Sequence, residues 1–250
     1  MIKQSFRSPK SQQTAQSNTS LTRRLFISAG VSSAAITLFG CSNRNVNIAH
    51  TPVQIIPENT EFKTDKRSPY YDEIYNSNLE ELYPLPAVPY QDIPPKFLRQ
   101  EVFYFTDEKP GTIIVDTSAH FLYLVLEDNK AMRYGVGIGR DGFSWSGRAV
   151  VHWKRKWPTW TPPEEMIARQ PELEIWSAHN GGMPPGLNNP LGARALYIFQ
   201  DNKDTLYRLH GSPEYKSIGK SISSGCIRLI NQDIIDLYDR APPKAPILVI

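Results

Sequence analysis

Short runs of β-branched and aromatic residues are the feature that most limits the fold of this chain. Three such runs, at residues 112–115, 120–126 and 132–138, follow one another closely, and Asp128-Asn129 lies between the last two. Runs of this length and composition are typical of β-strands, and Asp and Asn favour tight turns. We therefore predict a mostly β fold whose meandering antiparallel strands begin near residue 97.

The first 40 residues have the composition of an export signal. Residues 1–24 contain five basic residues and no acidic one, and an apolar run occupies residues 25–39. That run is shorter than the roughly 20 apolar residues that a membrane-spanning helix needs. Residues 22–26 (TRRLF) resemble a twin-arginine motif, although a general secretory signal can also contain an Arg-Arg pair. Both alternatives predict export, which places the mature protein in the cell envelope, in the periplasm.

Cys41 directly follows the apolar run. The sequence Leu38-Phe39-Gly40-Cys41 resembles a bacterial lipobox, in which the cysteine is lipidated and becomes the new N-terminus, but Phe39 departs from the small residue usual there. Ordinary cleavage nearby and an uncleaved anchor are the alternatives. The signal or the lipid would in either case attach the protein to a membrane.

Most of the positive charge belongs to the predicted signal. The formal charge of the chain is +3, and removal of residues 1–40, with five basic and no acidic residues, leaves −2. The remaining residues form no basic stripe of the kind that binds nucleic acid. The sequence therefore gives no support to a nucleic-acid partner.

Residues 41–96 are polar and rich in proline and tyrosine, which predicts an extended tether. The prolines are Pro52, Pro57, Pro69, Pro84, Pro86, Pro89, Pro94 and Pro95. The tyrosines are Tyr70, Tyr71, Tyr75, Tyr83 and Tyr90. Five tyrosines are many for a plain spacer, so we expect them to dock on the following domain, with a wall-facing or partner-binding role as the alternative.

Residues 210–228 (HGSPEYKSIGKSISSGCIR) contain the chemistry of the chain. Cys226 is the only cysteine outside the N-terminal region, and His210 precedes it by 16 positions. A nearby imidazole is the usual means of activating a thiol for acyl transfer. The small residues before Cys226 would let backbone N–H groups approach a reacting carbonyl, as in an oxyanion hole.

Three ordered elements of this stretch resemble the signature of the L,D-transpeptidase catalytic domain family. They are His210-Gly211-Ser212, Ser217-Ile218-Gly219 and Ser223-Ser224-Gly225-Cys226-Ile227-Arg228. The resemblance covers about residues 97–250 and implies an antiparallel, β-sandwich-like domain with a few short helices. The sequence departs from the family pattern at one place, where Ser144-Trp145-Ser146-Gly147 replaces the usual Thr-Pro-x-Gly turn.

The resemblance also implies roles for individual residues. Cys226 would be the nucleophile and His210 the general base and acid, with the backbone carbonyl of Gly211 orienting the ring. The backbone N–H groups of Gly225 and Cys226 would stabilise the oxyanion.

Three further residues are expected to bind substrate: Arg228, Ser223 and Ser224. The Arg228 guanidinium suits a carboxylate, which it can hold through two hydrogen bonds, and support of the loop is the alternative role. Relatives often have histidine where this chain has Ser224, so a side-chain contribution there is not carried over. For Ser223 a hydrogen bond within the site and simple turn structure are both open.

The implied reaction starts from a peptidoglycan stem tetrapeptide and needs no cofactor or metal. Cys226 would form a thioester with the diamino acid of the stem, and an amine would then resolve it, giving a 3–3 cross-link or attachment of a protein to the wall. The alternative is hydrolysis of the same acyl-enzyme by water, as in an L,D-carboxypeptidase or an amidase that releases wall proteins. A second alternative is a wall-binding lipoprotein without turnover.

Two structural alternatives apply to Cys226 itself. It could be a buried apolar thiol, since cysteine is among the most buried residue types. It could also bind zinc with His210 and either His152 or His179, although the chain lacks the close ligand spacing typical of zinc sites.

Two local features complete the predictions. Trp153, Trp157 and Trp160 are expected to pack in the core, with a groove for glycan or peptide as the alternative. Near the end of the chain, Asn231 is expected to cap a helix over residues 232–240.

Overall fold

The computed structural model describes residues 68–139, 146–223 and 225–250. These residues form eleven strands, three α-helices and several short 3₁₀ helices. The strands are β1 (Gln100–Phe103), β2 (Ile113–Asp116), β3 (Phe121–Val125), β4 (Lys130–Gly135), β5 (Ile138–Gly139), β6 (Gly147–Lys156), β7 (Arg194–Gln200), β8 (Lys203–Ser212), β9 (Ser221–Ser223), β10 (Ile227–Ile230) and β11 (Pro246–Val249). The α-helices are α1 (Pro69–Ile74), α2 (Glu164–Arg169) and α3 (Asn231–Arg240). The 3₁₀ helices are Tyr90–Asp92, Pro95–Phe97, Pro171–Trp176, Ala178–Asn180 and Tyr215–Ser217.

The predicted signal, Cys41 and the tether up to residue 67 lie outside the described residues.

Nine strands form one sheet in the order β1-β4-β3-β2-β11-β6-β7-β8-β10, and β5 pairs with β9 separately. The predicted meander is confirmed: β2, β3 and β4 are antiparallel neighbours, with Ile113 opposite Leu124. Asp128 and Asn129, in the predicted turn, have φ values of 57° and 55°, as a type I′ hairpin turn requires.

The fold is mostly β, as predicted, but the large sheet is mixed. The pairs β2/β11 and β8/β10 are parallel. Parallel neighbours need a long crossover connection, whereas a meander joins neighbours by tight turns. Residues 213–226 make the crossover between β8 and β10, and this crossover contains the Ser-Ser-Gly-Cys segment.

Helix α3 packs on one face of the sheet through Ile234 and Leu237, which belong to the main apolar core. The predicted cap is wrong in its detail. Asn231 is the first helical residue, and its side chain makes no cap. Its Oδ1 instead accepts a hydrogen bond from the Ala193 N–H at 2.9 Å. The amide is therefore used to fix the segment before β7, a contact between residues distant in sequence.

The tyrosine-rich segment packs on the sheet. Tyr71, Tyr75 and Tyr90 are buried in an apolar cluster that also contains Ile218 and Ile230. Docking is thus confirmed for these three tyrosines. Tyr70 differs, with 46% of its surface exposed.

A polar network continues this contact into α3. The Tyr75 hydroxyl donates to Asp233 at 3.3 Å and accepts from the Arg99 N–H at 2.8 Å. Arg99 pairs with Asp236 at 2.8 Å, and Tyr134 donates to the same carboxylate at 2.6 Å. The network joins α3 to β4 and to the segment that precedes β1.

The tryptophans differ in their surroundings. Trp157 is buried, donates from Nε1 to Glu81 at 2.8 Å and lies 4.9 Å from the Tyr83 ring centroid, so core packing is confirmed for it. The same prediction is wrong for Trp153, which lies on β6 with 46% of its surface exposed. Among the described residues, no helix is long and apolar enough to cross a membrane.

Candidate active site

The parallel pairing of β8 and β10 places His210 beside Arg228. Because side chains alternate along a strand, Arg208 and His210 share one face of β8, and Leu209 and Gly211 face the other way. Leu209 lies in the core, and a Cβ at Gly211 would come within 3.0 Å of Ile234 on α3. The face of the sheet opposite α3 therefore carries His210, Arg208 and Arg228.

Gly225 makes the turn that delivers Cys226 to the start of β10. Its φ is +123°, a conformation that side-chain-bearing L-residues rarely adopt. The preceding strand β9 is held by β5, and Gly137 exchanges backbone hydrogen bonds of 2.9 and 2.8 Å with Arg228. The backbone on both sides of the cysteine is thus fixed by hydrogen bonds.

His210 is 4% exposed, and its Nδ1 lies 2.6 Å from the Gly211 carbonyl oxygen. A carbonyl can only accept, so this contact assigns the proton to Nδ1 and leaves Nε2 as the proton acceptor of the neutral ring. Burial lowers the pKa of His210 to about 4, against the opposing influence of the Gly211 and Pro190 carbonyls. Arg228 and Arg208 lower the pKa further, so the ring is neutral at pH 7.

Cys226 is partly buried. Burial raises the pKa of its thiol, while the Arg208 backbone N–H and the charges of Arg208 and Arg228 lower it. The same two guanidinium groups therefore act on both His210 and Cys226. The register of β8 and β10 places Arg228 opposite His210 and Ile227 opposite Leu209, so Cys226, which directly precedes β10, lies two positions before the partner of His210.

Arg228 forms an ion pair with Glu214 at 2.7 Å. The arginine side chain is 19% exposed and that of Glu214 65% exposed. A pair this open to solvent contributes little stability. A carboxylate therefore already pairs with the guanidinium that is expected to bind a carboxylate of the substrate.

Arg208 is a residue that sequence reasoning missed. Its guanidinium donates two hydrogen bonds to Asp204, at 2.7 and 2.8 Å, and lies 4.4 Å from the Tyr197 ring centroid. It stands two residues before His210 on β8, and side chains two residues apart on a strand share a face. Nothing in the family signature drew attention to it.

The remaining predicted residues are placed less fully. Ser223 ends β9, and Ser224 lies outside the described residues. His152 stacks on Phe199 with ring centroids 4.3 Å apart. Within the part of the chain that the structure describes, no three His, Cys, Asp or Glu side chains are arranged to hold a metal ion.

Comparison with known proteins identifies the family. The model of the L,D-transpeptidase catalytic domain (YkuD) matches residues 110–249, which is more than half of the chain. The chain therefore belongs to the L,D-transpeptidase catalytic domain family.

Curated relatives carry the same family name. "Probable L,D-transpeptidase YbiS" of Escherichia coli K12 is 32% identical over 136 residues, which are 53% of this chain and 42% of that protein. "Probable L,D-transpeptidase ErfK/SrfK" of the same strain is 32% identical over 141 residues, 55% of this chain and 43% of that protein. "Putative L,D-transpeptidase YqjB" of Bacillus subtilis is 30% identical over 141 residues, 55% and 69% of the two chains. The chain spans less than half the length of the first two.

Two solved structures are also similar. The crystal structure of a "Probable carnitine operon oxidoreductase caia" from Brucella melitensis is 46% identical, covering 62% of this chain and 94% of that one, with a TM-score of 0.44. An L,D-transpeptidase from Mycobacterium smegmatis is 20% identical, covering 56% and 58% of the two chains, with a TM-score of 0.39.

Proposed function

We propose that this chain is a peptidoglycan L,D-transpeptidase of the cell envelope that forms a thioester between Cys226 and the diamino acid of a stem tetrapeptide. The proposal is supported by the pairing of β8 with β10, which brings His210 close in register to Cys226, and by the Nδ1–Gly211 contact, which leaves Nε2 of His210 as a proton acceptor. Membership of the family supports the reaction class.

The first half-reaction joins the sulfur to the substrate. Sγ of Cys226 attacks the carbonyl carbon of the diamino acid as Nε2 of His210 takes the thiol proton. The oxyanion accepts hydrogen bonds from the N–H groups of Cys226 and Gly225. The C–N bond then breaks, and His210 gives the proton to the nitrogen of the departing D-alanine.

The second half-reaction releases the acyl group. The amine of a second stem, or of a protein, attacks the thioester carbonyl, and His210 takes a proton from that amine. The C–S bond breaks, and the thiolate regains a proton from His210. The new amide is the cross-link or the wall attachment.

The resting pair is neutral in this mechanism. Burial raises the pKa of the Cys226 thiol and lowers that of His210 to about 4, so near pH 7 the thiol keeps its proton and the ring is uncharged. Proton transfer then accompanies attack, and the two guanidinium groups stabilise the thiolate as it forms.

Arg228 binds a carboxylate of the stem in this proposal. Glu214, which now pairs with it, is largely exposed and can turn to solvent at small cost. Substrate binding thus exchanges one carboxylate for another, and the guanidinium stays paired.

Intact-mass analysis tests the proposal. The full chain is incubated with a disaccharide-tetrapeptide, and the masses of the protein and of the products are measured by mass spectrometry. We expect a stem-sized adduct on Cys226, release of D-alanine and then cross-linked dimers. An adduct that yields only tripeptide would show that water is the acceptor, and a folded, unmodified protein with no D-alanine released would refute the proposal.

Cys226→Ala is the matched control. It removes the sulfur and leaves the turn at Gly225 unchanged. No adduct and no D-alanine are expected from it, with a melting temperature near that of the wild type. Turnover at the wild-type level would exclude Cys226 as the nucleophile.

A further inference from the structure

A row of aromatic and basic side chains crosses the sheet from the candidate active site. Cross-strand pairing aligns Trp153 of β6 with Tyr197 of β7, and Tyr197 with Arg208 of β8. The ring centroids of Trp153 and Tyr197 are 5.6 Å apart, and Arg208 lies over the Tyr197 ring. Because Ile227 pairs with Leu209, Cys226 comes beside Arg208, and the row begins at the thiol and ends at Trp153.

The far end of the row is open to solvent. Trp153 is 46% exposed, and Arg155, which is also exposed, lies over its ring at 5.9 Å. Phe199 packs against the edge of the indole with centroids 5.6 Å apart. His152 and Tyr197 also contact the indole edge-on, and the remaining exposed surface of Trp153 has no partner within the sheet's described rings. Exposed aromatic and arginine side chains in one cluster are typical of binding surfaces.

We infer that Trp153 and Arg155 form a subsite for the sugar end of the stem-bearing glycopeptide, in line with the catalytic thiol. This inference rests on the proposed function. Trp153 would stack on the apolar face of a sugar ring, and Arg155 would pair with a carboxylate of the same glycopeptide.

The length of the substrate supports this assignment. In a tetrapeptide that loses its terminal D-alanine, the residue attacked is the third, and the first is joined to the sugar. Three extended residues span at most about 11 Å. Three strand spacings, from β10 to β6, measure about 14 Å. A stem whose third residue lies at Cys226 and which runs along the row therefore ends about 3 Å short of β6, and the sugar joined to its first residue covers that remaining distance.

Charge supports the same occupant. Arg208, which also pairs with Asp204, lies between the thiol and Trp153, and Arg155 lies over the indole, so two arginines mark the path. The carboxylates of the peptide part fit such a path, and the aromatic end fits the uncharged sugar. A surface of this kind is also used by proteins, but continuity with the thiol favours the glycopeptide.

Substrate preference tests the subsite. D-alanine release is measured with the disaccharide-tetrapeptide and with the free tetrapeptide, and the preference is the ratio of the two kcat/KM values. Trp153→Ala is expected to lower the preference for the disaccharide form about tenfold, as loss of a central aromatic contact does. Trp153→Phe, which keeps a ring, should restore most of it, and Arg155→Glu should lower it.

Phe103→Ala is the control, because Phe103 is 71% exposed on β1, at the other edge of the sheet. Its preference should equal that of the wild type. The subsite is refuted if the wild type shows no preference, if Trp153→Ala keeps the wild-type ratio, or if Phe103→Ala changes it equally. All three outcomes leave the transpeptidase proposal standing.

Failure of the proposed function can be distinguished from failure of the subsite. If the wild type releases D-alanine from neither substrate, the proposed function fails and binding alone decides the subsite. Calorimetric titration of the disaccharide-tetrapeptide into Cys226→Ala is then compared with Cys226→Ala/Trp153→Ala. Weaker binding to the double variant would support the subsite, whereas equal binding, or none to either protein, would refute it.

Discussion

Gly225 holds the conformation on which the position of Cys226 depends. Its φ of +123° is strained for any residue with a Cβ, although the nearest atom to such a Cβ, on the Tyr207 ring, is 3.7 Å away. Gly225→Ala should therefore move the turn without a clash. A displacement of about 1 Å at a reacting group costs about 100-fold in rate. We expect such a loss of kcat/KM for D-alanine release, with a melting temperature close to that of the wild type.

Gly186→Ala is the matched control, because a Cβ there meets open space and the backbone does not adopt positive φ. It should keep the wild-type rate. An active Gly225→Ala variant would show that the turn does not position the nucleophile.

We expect His210 to set the acid limit of activity. Its pKa of about 4 means that the ring loses its ability to accept a proton only as the pH falls through about 4. The profile of kcat/KM against pH should be flat from about pH 5 to 7 and decline below about pH 5. An acid limb near pH 6.5, the usual pKa of histidine, would show that the ring is solvated during catalysis.

At this scale, sequence predicts what is local. The ordered residues around His210 and Cys226 are a continuous pattern, and the positions of both follow from it. Strand register decides that Arg228 pairs with Glu214 and that Arg208 lies beside the thiol. Register depends on contacts between distant segments, so it could not be predicted from local sequence patterns.

Helix α1 shows how an element preceding the first strand contributes to the fold. Its neighbouring residues Tyr70 and Tyr71 are 46% and 1% exposed. Tyr71→Ala empties a buried site and should lower the free energy of unfolding by about 3–5 kcal/mol. Tyr70→Ala should change it by less than about 1 kcal/mol. Urea denaturation measures both, and equal effects would show that the segment is not docked in solution.

The elements also show where prediction from sequence fails. Strands β2, β3 and β4 were predicted because each is a short apolar run joined to the next by a tight connection. The two parallel strand pairs were not predicted, and neither was the hydrogen bond from the Ala193 N–H to Asn231. Each of these contacts joins segments that are far apart in the chain. A side chain at a typical N-cap position can instead accept a hydrogen bond from a backbone N–H that is distant in sequence, as Asn231 does.

Across the whole molecule, the network around Asp233 links pH to stability. Burial raises the pKa of this carboxyl to about 7, against the lowering influence of Arg99. From about pH 3.8 to 7 the folded state keeps a proton that the unfolded state releases, so this contribution to stability is lost as the pH rises. The loss relative to Asp233→Asn is on the order of 4 kcal/mol.

Unfolding of the wild type and of Asp233→Asn at pH 4 and pH 7 measures this difference. The variant should gain on the wild type as the pH rises. Asp201→Asn, at an exposed turn, is the control and should follow the wild type at both values. A constant difference between wild type and Asp233→Asn would show that the carboxyl does not titrate in this range.

Strand β11 lies in the middle of the sheet, between β2 and β6, although all ten other strands precede it in the chain. As the polypeptide grows, β1 to β4 can associate, and so can β6, β7, β8 and β10, but β11, which lies between these two groups in the sheet, is synthesised after all of them. The complete sheet therefore forms only after β11 is available. The thiol of Cys226 is synthesised before the fold that is needed to use it.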